Sequence, residues 1–153
     1  MKLGIISDTH DFLDPRIEKL FDGVEHILHG GDVGMQAIIS ELEQIAPVTA
    51  VLGNTDLNNP LRLTEVVTVA GRNFLVQHIV NPHAPSGPLK TAIARHRPAA
   101  VIFGHTHRPF NEVIGGTLFI NPGYSGKPQY GTERSVAILH CDESGIRPEY
   151  LPL

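Results

Sequence analysis

Cysteine is almost absent from this 153-residue chain. Cys141 stands alone, so neither an internal disulfide nor a cysteine-built zinc site can form, and a reducing compartment, the cytoplasm, is the expected setting. Tryptophan is missing and only three tyrosines occur, which leaves no basic, aromatic-rich stripe for tracking a nucleic-acid strand. Positive charge is not in excess either. Twelve Lys and Arg stand against 16 Asp and Glu, a formal charge of −4, so extended nucleic acid is not an expected partner and any phosphate must be attracted locally. No apolar run approaches the roughly 18 residues of a membrane span, and the opening MKLGIISDTH enters a strand-like segment without a cleavable apolar stretch. The chain reads as neither exported nor membrane-embedded. Repeats and long linkers are lacking, and 41% hydrophobic content at this length fits one globular domain over residues 1–153.

What is present is an order of elements. KLGIIS, VEHILH and PVTAVLG are short apolar or β-branched runs, separated by PRIEKLFDG and MQAIISELEQIA, whose apolar residues recur at helical spacing. Ile38, Leu42 and Ile45 fall on one face of the second helix, as expected for a helix laid on a sheet. This β-α-β-α-β order calls for parallel strands covered on both faces. EVVTVAGRNFLVQH reads as a hairpin about a Gly-Arg-Asn turn. A helix beginning near PLKTAIARH has proline in its first turn and leads into the strand AAVIF. The remainder is β: NEVIGGTLFINPG turns at Gly115 and Gly116, and SVAILHCDESGIRPEYL turns around Glu-Ser-Gly.

Nine histidines are the one unusual abundance, and their placement is ordered. Asp8 and His10 follow the first strand, Asp32 the second, and Asn54 and Asp56 the third. His78 ends the hairpin, while His105 and His107 follow AAVIF in the stretch VIFGHTHRP. Ligands of open α/β sheets gather at such strand ends. The glycines before Asp32, Asn54 and His105 allow sharp turns and close backbone approach. In DTH and HTH, a spacing of two points both side chains the same way if the backbone stays extended. An isolated Asp-x-His is more often a helix cap beside a surface histidine, and His26, His29, His96 and His140 are read as hydrogen-bonded core residues and not ligands. Recurrence at five successive strand ends is what core packing does not produce. Two carboxylates, an amide oxygen and four imidazoles exceed one tetrahedral site, so two divalent ions are expected. Mixed nitrogen and oxygen donors without thiolate suit Mn²⁺, Fe²⁺, Zn²⁺ or Ni²⁺, and two such ions would create a positive pocket inside an acidic protein.

The ordered motifs DTH, GD, GNTD and GHTH, running from Ser7 to FINPGY at 119–124, resemble the calcineurin-like metallophosphoesterase superfamily, in its small single-domain prokaryotic phosphodiesterase subgroup. That resemblance implies a four-layer αββα sandwich of two mixed sheets with helices outside, an α/β fold. It also implies that Asp8, His10 and His107 hold one metal, that Asn54, His78 and His105 hold the other, and that Asp32 bridges them. A dimer or tetramer is implied as well. Two positions depart from the family pattern. Thr55 stands where many members have a histidine that contacts phosphate or protonates the leaving group, and Gln77 stands where glycine is common.

The function expected on these grounds is hydrolysis of small or aryl phosphodiesters by a water or hydroxide held between the two ions. Asp32 and Asn54 are its catalytic ligands. Asp56 is a candidate for orienting a ligand or loop, and His83, in the loop NPHAPSG, is a candidate to replace the acid missing at Thr55. Arg108 is a further candidate for a phosphate contact, a surface salt bridge being its commoner use. The rivals are a non-catalytic protein-docking scaffold of the same fold, as in the retromer subunit, and a phosphomonoesterase or nuclease.

Overall fold

The computed structural model describes residues 1–153. The chain begins β1 (Lys2–Ile6), α1 (Ile17–Leu20), β2 (His26–His29), α2 (Gln36–Glu43) and β3 (Val48–Ala50), with the three strands in parallel register. Next come β4 (Thr64–Val69), β5 (Arg72–Gln77), α3 (Gly87–His96) and β6 (Ala100–Ile102), and then β7 (Phe110–Ile114), β8 (Thr117–Asn121), β9 (Ser135–Asp142) and β10 (Gly145–Pro152). They form two five-stranded mixed sheets, ordered β10-β9-β1-β2-β3 and β4-β5-β6-β8-β7. No helix is long and apolar enough to cross a membrane.

Alternation along the strands builds the layers. Leu3 and Ile5 of β1, Leu28 of β2, Phe74 and Val76 of β5, Ile102 of β6 and Ile120 of β8 share one buried cluster between the sheets. Their neighbours point the other way. Ile6 and Ile27 pack with Ile17 and Phe21 of the α1 segment and with Ile38 and Leu42 of α2. Leu75, Val101 and Phe119 pack with Leu89 of α3. Each fully buried Leu, Ile or Phe contributes roughly 1.5–3 kcal/mol, so a one-residue slip of register would put the wrong face inward and lose several at once. Gly4 belongs to this design, because a Cβ there would lie 2.8 Å from the Phe21 ring that covers the strand.

Two local expectations are corrected. The first helix is a single turn, since Asp14, Pro15 and Asp22-Gly23 bracket it with turn chemistry. The β4–β5 hairpin turns at Ala70-Gly71, both at positive φ (49° and 76°), while Arg72 and Asn73 already pair with Val69 and Thr68. Positive φ at both loop positions matches the twist of the strands, and alanine rarely advertises it.

Candidate metal centre

All seven expected ligands leave the ends of β1, β2, β3, β5 and β6, and they meet at one edge of the two sheets. The backbone that carries them is not extended. Asp8 (φ 55°), His10 (44°), Asp32 (53°), His105 (72°) and His107 (62°) are all left-handed, a conformation costing on the order of 1–3 kcal/mol for each non-glycine residue. Hydrogen bonds hold it in place: Asp8 N–H donates to the Gly31 carbonyl (3.0 Å), His10 N–H to Asp32 O (2.9 Å) and Gly104 N–H to His78 O (3.0 Å). The extended geometry expected for DTH and HTH is therefore corrected. His105 and His107 do not reach one point; they diverge to opposite halves of the centre.

In one half, Asp8, His10 and His107 bring ligand atoms together. Asp8 Oδ1 lies 3.2 Å from His107 Nε2 and 3.6 Å from His10 Nε2, and the two imidazole nitrogens face each other at 3.4 Å. In the other half, Asn54 Oδ1 lies 2.9 Å from His78 Nε2 and 3.0 Å from His105 Nδ1. Asp32 stands between them, its Oδ2 3.6 Å from His10 Nε2 and 3.2 Å from His78 Nε2. Asp8 reaches across as well, at 3.9 Å from His78.

Each carboxylate uses its two oxygens differently. Asp8 Oδ2 accepts from Ser7 Oγ (2.7 Å) and from His105 N–H (3.2 Å), whereas Asp8 Oδ1 is buried with no hydrogen-bond partner. Asp32 Oδ1 accepts from Thr55 N–H (2.9 Å), leaving Oδ2 toward the imidazoles. His78 donates Nδ1–H to the Gly30 carbonyl at 2.8 Å, which fixes the tautomer that turns the Nε2 lone pair inward. Acceptor atoms therefore converge on acceptor atoms. That arrangement is unfavourable when bare and fits divalent cations.

Electrostatics agree with that donor set. Burial pushes Asp8 up, but the nearby imidazoles of His10, His78 and His107 and the hydrogen bond from Ser7 outweigh it and hold the carboxyl below its usual range. Burial also opposes ionisation of Asp32, and the neighbouring His78 together with the bond from Thr55 again prevails, well below the usual range. His10 is raised, chiefly by Asp8 beside it, against some burial. For His78, burial acts downward but Asp32, Asp8 and the Gly30 carbonyl raise it overall. Two carboxylates held ionised at 0% and 2% exposure require positive charge beside them. The centre binds divalent metal.

Sequence reasoning missed several supports. The Tyr124 ring packs against His107 (centroids 4.9 Å apart) and His10 (6.1 Å). Asn121, fully buried, donates Nδ2–H to Gly104 O (3.0 Å) and Thr106 Oγ1 (3.1 Å) and accepts from Gly123 N–H (2.9 Å), so the motif FINPG clamps the loop that carries the two histidines. His29 accepts from Gly31 N–H at Nδ1 (3.1 Å) and meets Thr9 Oγ1 at Nε2 (3.0 Å), and that hydroxyl in turn donates to Val33 O (2.7 Å). It is a neutral core residue, depressed to about 4 by burial. The abundance of Asn, Ser and Tyr near the motifs was the only available signal for the first two.

The other candidates lie apart from the ligand atoms. Asp56 accepts three backbone N–H bonds, from Val33 (3.1 Å), Gly34 (3.0 Å) and Gly53 (2.9 Å), and so ties the Asp32 loop to the Asn54 loop. His83 turns its Nε2 to Glu112 Oε2 (3.4 Å) and sets its ring edge-on to Phe110. No hydrogen bond joins it to the seven. Arg108 is exposed. Gln77 accepts from Thr64 Oγ1 (2.7 Å) and donates to Ile79 O (3.1 Å).

Known proteins share this arrangement of chain. The fold recurs in Vps29 from Entamoeba histolytica complexed with zinc (TM-score 0.73, 20% identity, covering 99% of each chain). It recurs also in an archaeal phosphodiesterase (TM-score 0.75, 29% identity, 99% of this chain and 100% of that one). A probable metallophosphoesterase of Methanothermobacter thermautotrophicus is 34% identical across 99% of this chain and 92% of its own length. Residues 1–144 match the calcineurin-like phosphoesterase superfamily domain. By sequence over nearly its whole length, and by fold, the chain belongs to the calcineurin-like phosphoesterase superfamily.

Proposed function

We propose that this chain is a phosphodiesterase working with two divalent ions, Mn²⁺ the expected species, on small or aryl phosphodiesters. Asp8, His10 and His107 hold one ion, Asn54, His78 and His105 hold the other, and Asp32 is shared. The observation that carries this reading is Asp8 Oδ1, buried, without a hydrogen-bond partner and faced by imidazole nitrogens of His10 and His107. Ions bound there supply Lewis acidity toward phosphoryl oxygens and a more acidic water.

The chain's own residues do the rest. Asp8 and Asp32 stay ionised, each with one oxygen anchored by protein donors and one free. Asn54 adds a ligand atom without adding negative charge, which keeps the pocket attractive to phosphate. Thr55 offers a backbone N–H to Asp32 and a hydroxyl that is no acid at neutral pH. His83 turns toward Glu112 on the surface, which supports a reading in which it leaves the acid role at Thr55 unfilled. The leaving group must then depart largely unprotonated, which favours aryl over alkyl esters.

A scaffold role shares the fold, and Vps29, which has that fold, is seen in complex with zinc, so turnover and not ligand convergence separates the two readings. The test is an aryl phosphodiester assay paired with the corresponding monoester, before and after chelation, with metal counted in the purified protein. Diester activity is lost in chelator and returns with Mn²⁺ at two ions per chain, and Asp32→Asn lowers kcat by about a hundredfold or more. Full activity in excess chelator overturns the reading, and a preference for the monoester moves it to a phosphomonoesterase.

A further inference from the structure

Beside the metal centre lies a cleft of about 370 Å³, within the range typical of small-molecule sites. Asn54 and His78 line it together with the apolar side chains of Leu52, Leu63, Ile79 and Leu89. Among its polar side chains, Thr64 Oγ1 donates to Gln77 Oε1 and Gln77 Nε2 donates to Ile79 O, while Ser86, at the start of α3, adds one hydroxyl. What the walls offer an occupant is mainly apolar surface. Leu63 and Ile79 are 67% and 53% exposed on a rim that shares its base with two ligand residues.

We propose that this cleft receives one apolar, aryl-sized ester substituent of the phosphodiester whose phosphate sits at the metal centre. This rests on the phosphodiesterase reading and adds a substrate class to it. Continuity decides the occupant. A phosphate at Asn54 and His78 places one ester arm against the cleft that these two residues line, and the single hydroxyl of Ser86 among apolar walls is too little to recognise a sugar or a charged arm. A second copy of the chain would need roughly 800 Å² of surface on each partner, which a concave cleft of this volume does not present.

The experiment uses the Mn²⁺-loaded protein and two diesters with the same leaving group, 4-nitrophenyl methyl phosphate and 4-nitrophenyl phenyl phosphate. The ratio of their kcat/KM values, phenyl over methyl, falls about tenfold in the double variant Leu63→Asn, Ile79→Asn, with the change residing in KM. Leu63→Met retains the ratio. Comparing variants cancels the intrinsic reactivity of the two esters. Both positions are exposed, so the fold tolerates them, and calorimetry supplies a readout without turnover. Phenylphosphonate binds the wild-type protein about tenfold more tightly than methylphosphonate, and the double variant loses that advantage. Equal affinities for the two phosphonates overturn the inference. So does an unchanged ester ratio in the double variant, or a variant that only dissociates an oligomer. Hydrolysis of the methyl ester with no phenyl preference sinks the cleft and leaves the metal centre standing. Failure to hydrolyse either ester, with the phosphonate preference intact, sinks the catalytic reading instead.

Discussion

A β-carbon at Gly104 would overlap Ser7 Oγ and Asp8 Oδ2, the two atoms that anchor the most buried ligand. Gly104 does not have positive φ, so its role is close approach and not an unusual turn. The same holds at Gly53, where a β-carbon would overlap Asp32 Oδ1. Gly104→Ala should therefore act on the metal before it acts on the fold. Moving Asp8 Oδ2 off its donors swings Oδ1 out of line with His10 and His107, and relieving the overlap costs about 1–3 kcal/mol. We expect a lower urea midpoint together with at least about tenfold weaker Mn²⁺ retention against a competing chelator, the order seen when residues that orient ligands are changed. Loss of stability with unchanged metal retention would assign this glycine to packing alone. The residue types at the centre were legible in the sequence because Asp, Asn and His recur at strand ends. Which oxygen of each carboxylate is free was not, because it depends on donors such as Ser7 and Thr55 N–H that carry no metal signature.

At the level of elements, the β6–β7 connection carries His105 and His107 and has little of its own to hold it. Asn121 at the end of β8 supplies the restraint through two hydrogen bonds, to Gly104 O and Thr106 Oγ1, and a third, from Gly123 N–H, holds its own side chain in place. Asn121→Ala removes them and leaves the Gly104 carbonyl and the Gly123 N–H without that partner, at roughly 1 kcal/mol for each bond and more where a group stays unsatisfied. The expected loss is about 2–4 kcal/mol in urea unfolding. Amide exchange should quicken at residues 104–107 while the strands of the β10-β9-β1-β2-β3 sheet keep their protection. Uniform loss across both sheets would mean that Asn121 serves the fold generally. Strands, their succession along the chain and the three hairpins were readable from alternation and turn residues, since those follow from the period of two and from glycine, whereas the pairing of β1 with β9 and of β6 with β8 was not. The left-handed turns at Asp8, His10, Asp32, His105 and His107 were not. Nothing in Asp or His requires positive φ, and only the long-range bonds to Gly31, Asp32 and His78 select it. That is why the side chains of HTH part company where an extended reading joined them.

Across the whole molecule, buried titrating groups respond to pH in opposite directions, and bound metal changes the balance. Asp14, bonded to Arg16 and Arg134, lies well below its ordinary 3.8, so its contribution is complete above that value and fails only in stronger acid. His29 is depressed from 6.5 to about 4. The unfolded chain takes up that proton first, and stability falls as pH drops from 6.5 toward 4 whether or not metal is bound. His10 and His78 are raised. Without metal, their pairing with Asp8 and Asp32 stabilises fully below 6.5 and fades as pH rises through the folded values. With metal, both imidazoles must be neutral, and binding expels their protons. The increment in Tm given by saturating Mn²⁺ over chelator-treated protein should therefore widen steadily from about pH 5.5 to about pH 8. Calorimetric titration in buffers of different ionisation enthalpy should show proton release that shrinks over the same interval. An increment that stays flat or narrows with rising pH would mean that these two histidines do not exchange protons for metal, and the ligand set would have to be redrawn without them.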